Sequence, residues 1–191
     1  MTPAEILRRQ EQALQNCRKC KLCEARTHVV FGSGNPTAEF VVIGEGPGAD
    51  EDAQGLPFVG RAGQLLTKML TAVNLTREEV FITNAVLCRP PGNRNPEPDE
   101  LAACAPFLAD KLAVIQPKVV LALGSVATQS LLRTREAIGK LRGRLHPFGD
   151  AVLIPTFHPA FLLRNPGPEY KRMAWEDLKL ARREYDNRRT R

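Results

Sequence analysis

No apolar run in this 191-residue chain is long enough to cross a bilayer. Nothing at its start resembles a secretory leader: residues 1–15 are charged and amphipathic, without an apolar centre. The chain has no internal repeat, no linker-like stretch and no low-complexity tract. It has no G-x-x-x-x-G-K-[ST] phosphate loop either. These absences exclude a membrane-spanning protein, a solenoid and a P-loop nucleotide hydrolase. What remains is a chain with 43% apolar residues, enough for one sizeable core. One domain over residues 1–191, a cytoplasmic location and a monomer are expected.

Among what is present, cysteine stands out. Cys17, Cys20 and Cys23 form a C-x2-C-x2-C run, and Cys88 and Cys104 follow far downstream. An odd count in a cytosolic-looking chain argues against a disulfide framework. Inert buried thiols would explain Cys88 and Cys104 but not the crowded first cluster. Thiolates at this spacing suit a soft metal centre, and spacing alone leaves zinc and an iron–sulfur cluster both open. Either would staple the N-terminal arm to the body of the protein.

The formal net charge is +6. A positive excess suggests a polyanionic partner, most plausibly nucleic acid, although an excess this small also fits an ordinary basic protein. The C-terminal arginines (Arg182, Arg183, Arg188, Arg189 and Arg191) read as a solvated helix face and tail rather than a binding arm.

Residues 3–16 read as an amphipathic helix entered through Thr2-Pro3. Short apolar runs at Phe40–Ile43, Val80–Val86, Val119–Leu123 and Ala151–Pro155 alternate with helical patterns near 61–74, 98–115, 125–133 and 168–187. That alternation predicts a three-layer α/β/α sandwich around a mostly parallel four-stranded sheet, with Leu141–Phe148 as an extra edge strand. Ligands of such sheets bind at the carboxyl ends of the strands. There the sequence carries Gly44-Glu45-Gly46-Pro47-Gly48, Thr83-Asn84, Gly124-Ser125 and Phe157-His158-Pro159. The glycines imitate a dinucleotide fingerprint, but the third is misplaced and Pro47 stiffens the turn. A glycine-rich turn also lets a ligand approach the backbone closely. Phe58 could stack on a base, Asn84 could read its polar edge and His158 could polarise a carbonyl. Singly, a core Phe, a turn Asn and a loop His are duller readings; their joint placement favours a site.

Taken in order, these motifs resemble family 4 of the uracil-DNA glycosylase superfamily, the iron–sulfur enzymes. The resemblance runs from Cys17 to about Asn165. It is carried by Cys17-Arg18-Lys19-Cys20, Arg26-Thr27-His28-Val29-Val30-Phe31-Gly32, Gly44–Gly48 with Glu51-Asp52, and the stretch from Gly55 to Leu66. Thr83-Asn84, Cys88-Arg89-Pro90-Pro91 with Asn93-Arg94, and His158-Pro159-Ala160 complete it.

The resemblance implies a [4Fe–4S] cluster on Cys17, Cys20, Cys88 and Cys104, with Cys23 outside the ligand set. It implies a hydrolase that removes uracil from single- or double-stranded DNA. Uracil would lie against Gly44, Glu45 and Gly46 and stack on Phe58. Asn84 would pair with its polar edge, His158 would hydrogen-bond O2, and Glu51 would crowd C5 to exclude thymine. Asn84 and His158 would be catalytic, with Glu45 placing the water. Arg94, Ser125, Leu162, Leu163 and Arg164 would meet the DNA, one of the two leucines as a wedge. A related subgroup traps the sugar on a histidine; residues 89–103 contain none, so turnover is expected. An inactive iron–sulfur DNA-binding protein and an electron carrier are the alternatives.

Overall fold

The computed structural model describes residues 1–189; Arg191, the last basic position of the tail, lies outside the described residues. The chain runs α1 (Pro3–Leu14), β1 (Ser33–Gly34), β2 (Phe40–Gly44), α2 (Ala49–Gln54), α3 (Arg61–Ala72), β3 (Phe81–Asn84), α4 (Pro98–Ile115), β4 (Val119–Leu123) and α5 (Gly124–Leu132). It continues through α6 (Ile138–Leu141), β5 (His146–Phe148), β6 (Ala151–Thr156), α7 (Pro159–Arg164) and α8 (Pro168–Arg189). Short 3₁₀ turns occupy Lys21–Glu24 and Pro91–Asn93.

The α/β class is as expected, and the four apolar runs are the four inner strands. β2 pairs in parallel with β3 and with β4, and β4 pairs in parallel with β6. The sheet nevertheless has six strands, not four, in the order β1-β3-β2-β4-β6-β5. The additions are antiparallel and lie at the two edges. β1 has two residues and β5 three, too few to show a period of two. The stretch Leu141–Phe148 divides into the end of α6, a turn and β5. Very short edge strands also offer little template for pairing with another chain.

The inner strands are buried on both faces, as unbroken Val/Ile/Leu runs require. Alternate residues feed two cores. Phe40, Val42, Ile82, Leu121 and Ile154 pack with Leu66 and Leu70 of α3 and Leu178 of α8. Val41, Ile43, Phe81 and Val120 pack with Leu7 and Leu14 of α1 and Leu108 and Ile115 of α4.

α1 begins where its sequence says it should. The Thr2 hydroxyl accepts from the Glu5 amide, the Glu5 carboxylate accepts from the Thr2 amide, and Pro3 fills the first turn. α4 carries a fully buried lysine. Lys111 donates to the Phe31 carbonyl and the Thr83 hydroxyl and lies 4.0 Å from the Phe31 ring centroid. Burial pushes its pKa down to about 7. The contact ties α4 to the end of β3, one residue before Asn84.

Candidate active site

The chain order of the sheet reverses around β2, with β3 on one side and β4 on the other. A cleft of about 350 Å³ opens at the carboxyl ends of the strands, where such a reversal leaves room. It is lined by Glu45–Gly48 after β2, Phe58 and Gly60–Gly63 before and at the start of α3, and Asn84 at the end of β3. Pro90 and Asn93–Asn95 and then His158, Ala160 and Arg164 close it.

Asn84 is 1% exposed, and its Oδ1 has no hydrogen-bond partner. A buried acceptor left unmade costs about 1–3 kcal/mol, so the site awaits a donor. Gly44 lies between Asn84 and Phe58: a Cβ there would stand 2.6 Å from Asn84 Oδ1 and 2.5 Å from Phe58 Cζ. Any side chain at Gly44 would fill the floor of the cleft. Phe58 is buried with a positive φ of 52°, a region that bulky residues rarely adopt. Glu51, in α2, accepts from Gly48 N–H through Oε1 and from Val59 and Gly60 N–H through Oε2, at 3.1, 2.8 and 2.7 Å.

His158 caps α7. Its Nδ1 accepts from the Ala160 amide at 3.0 Å, which leaves the ring proton on Nε2. Burial, reinforced by the nearby Arg164 charge, lowers its pKa to about 4, so the ring is neutral at physiological pH. It stacks on Phe58 with centroids 5.7 Å apart. A Cβ at Gly124 would approach His158 Cβ to 2.9 Å, so a residue without a side chain is required there. Burial pushes the Glu45 carboxyl above its ordinary value, against the pull of Arg164.

The opposite wall is the segment 89–97. Arg94 makes a paired contact with Glu100, Nη1 to Oε1 at 2.7 Å and Nη2 to Oε2 at 2.9 Å, and also donates to the Asn95 carbonyl. Glu100 is buried, and Arg94 holds its pKa down to about 2. Lys21 pairs with Glu97 and Asp99, which joins the cysteine turn to this wall.

Behind it lie the cysteines. None of the five forms a disulfide. Cys17, Cys20, Cys88 and Cys104 belong to one packed cluster of side chains. Burial raises Cys20 and Cys104 and pushes Cys88 up to about 11. Arg26 donates to the Cys17 carbonyl at 2.6 Å and to Cys88 Sγ at 3.5 Å.

Of the residues expected from sequence, the cleft brings together Glu45, Gly46, Glu51, Phe58, Asn84, Arg94, His158 and Arg164. Gly44 lies beneath it. Ser125 is exposed at the start of α5, outside the cleft wall. Leu162 is 4% exposed and packs in the core, whereas Leu163 is 39% exposed. The turn of α7 points only the second outward. Sequence reasoning missed Asp50, Arg61, Asn93 and Asn95 as cleft residues. It also missed Arg77, which binds the Phe58 and Pro57 carbonyls. Arg77 sits in Thr-Arg-Glu-Glu, a stretch that reads as an ordinary charged turn.

Residues 31–179 match the model of the uracil DNA glycosylase superfamily. The chain is 43% identical to a type-4 uracil-DNA glycosylase of Thermotoga maritima, over 95% of each chain. It is 46% identical to one of Saccharolobus solfataricus, over 80% of this chain and 75% of the relative. A type-5 uracil-DNA glycosylase of Thermus thermophilus is more distant, at 32% over 81% of this chain and 79% of the relative. With the strand-end cleft and these matches together, the chain belongs to the uracil-DNA glycosylase superfamily, on the type-4 branch.

Proposed function

We propose that this chain hydrolyses the N-glycosidic bond of uracil in DNA, leaving an abasic site and opening base-excision repair. The observation that carries the reading is the partnerless, buried Asn84 Oδ1 at the floor of the cleft. A uracil flipped from the stack, at a cost of about a few kcal/mol, offers its imide N–H to that acceptor. Its ring stacks on Phe58, and Gly44 and Gly46 leave the backbone open to its edge. Glu51 is fixed by three backbone amides and cannot swing aside, so it forms a rigid wall against a C5 methyl. An attractive pocket alone would distinguish one methyl by only about 1–3 kcal/mol.

As the bond between C1′ and the base nitrogen breaks, its electron pair passes to uracil and charge gathers on O2. The neutral His158, with its proton on Nε2, donates there. A preorganised donor aimed at developing charge is the largest lever such a site has. Water, positioned by Glu45, adds to C1′ of the oxocarbenium-like sugar and releases one proton, which balances the charge of the departing uracil anion. Arg164 and Arg94 present positive charge to phosphates, with Arg94 already committed to Glu100. Ser125 meets the backbone beside His158. Leu163 enters the duplex, anchored by the buried Leu162 beside it. The protein acts as a cytoplasmic monomer, on single- or double-stranded DNA.

Cys17, Cys20, Cys88 and Cys104 would hold a [4Fe–4S] cluster. Their packing in one cluster of side chains supports it. Among the described residues no group of His, Cys, Asp and Glu is posed for a single metal ion; each thiolate of a four-iron cluster binds a different iron, so convergence on one point is not required. When bound, the cluster supplies structural cross-linking of the N-terminal arm, β3 and α4.

Purified protein incubated with oligonucleotides bearing one uracil, thymine or cytosine should release uracil alone. No release from any uracil substrate by iron-loaded protein would overturn the reading in favour of an inactive DNA-binding protein.

A further inference from the structure

Arg77 lies outside the cleft, in the turn between α3 and β3, and nothing about its sequence context marks it. Its guanidinium is half-buried against the back of the 56–60 segment. Nη1 donates to the Phe58 carbonyl at 2.9 Å and to Thr67 Oγ1 at 3.3 Å, and Nη2 donates to the Pro57 carbonyl at 2.8 Å. On the other side of the same segment, Glu51 Oε2 takes the next two amides, Val59 and Gly60. Two consecutive carbonyls and two consecutive amides are therefore gripped by opposite charges, with Phe58 between them. This is also where the chain takes its left-handed turn, at φ 52°. Such a conformation persists in a bulky residue only where its surroundings over-determine it. Gly63 adds the third constraint: a Cβ there would come within 1.9 Å of the Phe58 carbonyl oxygen, so α3 presses directly on the clamped peptide.

We infer that Arg77 is a positioning residue for base recognition: with Glu51 it clamps the peptide units either side of Phe58 and so presents the Phe58 ring to the extruded base. The inference rests on the stacking role given to Phe58 above. Arg77 touches neither base nor sugar. Its effect passes wholly through the aromatic ring, and that gives it a signature different from simple stabilisation.

The test is a double-mutant cycle on single-turnover uracil release from single-stranded DNA, with Arg77→Met and Phe58→Leu. Arg77→Met alone should slow release about 10- to 100-fold, the scale of a misplacement of about 1 Å. Affinity for abasic DNA should be unchanged, and inhibition by free uracil should weaken. In the Phe58→Leu background the same substitution should cost almost nothing, because the ring it positions is gone. Arg77→Lys, which keeps a charge and a donor, should recover part of the loss, and it carries the cycle if Arg77→Met does not fold. An equal fold-loss in both backgrounds would overturn the inference, as would Phe58→Leu losing activity while Arg77→Met keeps it. Full activity in Phe58→Leu would instead bring down the stacking role of Phe58, and the clamp with it.

Discussion

The two walls of the cleft are held in different ways. The wall from Gly44 to Gly63 is fixed by side chains bonded to backbone: Glu51 on three amides and Arg77 on two carbonyls. The wall from Arg89 to Glu97 is fixed by ion pairs, Arg94 with Glu100 and Lys21 with Glu97 and Asp99. Side-chain-to-backbone clamps need no opposite charge and are little affected by salt, whereas exposed ion pairs are screened by it. The wall proposed to read the base is therefore built to one geometry, while the wall proposed to face DNA depends on charge.

Breaking the second wall at its root gives the largest effect. Cys88→Ala should lose iron and much of the soluble protein, whereas Cys23→Ala should keep both; iron analysis and sedimentation read the difference. Next is Glu100→Gln, which leaves the Arg94 charge uncompensated. A clear drop in melting temperature is expected, because Glu100 is buried and its paired contact with Arg94 is lost. DNA affinity should fall, while the chemical step on single-stranded uracil changes little. The pH dependence follows the same group. Glu100 sits at about 2 when folded, below its unfolded value of about 4.3. Its stabilising contribution is full above the unfolded value and is lost as pH falls towards 2. Melting temperature against pH should therefore be flatter below pH 4 in Glu100→Gln than in the parent.

The first wall sharpens the contrast. His158→Ala should cut single-turnover excision about 10²–10³-fold, the usual cost of one donor to a developing anion, with abasic-DNA affinity retained. The rate of the parent should show no inflection near pH 6.5, because burial and Arg164 have already moved His158 to about 4. An inflection there would mean that the ring takes up a proton in the working enzyme. The smallest effect is Leu163→Ala. It should slow excision several-fold from a U·A pair, less from U·G and least from single strands, since only stacked bases must be pushed out. Equal losses on all three would place Leu163 with Leu162 in a packing role.

How much of this was legible in the sequence follows the same division. The four inner strands and the main helices are dense, regular patterns and were readable to within a residue or two. β1 and β5 were not, because two or three residues carry no periodicity. α2 lies inside a glycine- and proline-rich motif that reads as a loop, whereas residues 160–165 read either as a short helix packed on the core or as a wedge loop; the helix α7 forms there, capped by His158. Residue types with evident chemistry, such as Asn84, His158 and Phe58, could be placed at strand ends before any coordinates. Arg77 could not, since its role comes from two carbonyls that only the fold brings to it. Leu162 and Leu163 were indistinguishable until the turn of α7 assigned one to the core.

The unsatisfied Asn84 oxygen and the left-handed Phe58 have a consequence for anyone who evolves this protein in the laboratory. Both are liabilities in the unliganded state: about 1–3 kcal/mol for the orphaned acceptor and a similar figure for a bulky residue held at φ 52°. Phe58 is also a core side chain, and trimming it to Gly would cost about 3–5 kcal/mol, more than the strain it relieves. A selection for heat resistance alone therefore gains at position 84, through an apolar residue, and on the role proposed for Asn84 that gain costs base recognition. Thermostability screens on this scaffold therefore need a concurrent assay of uracil release.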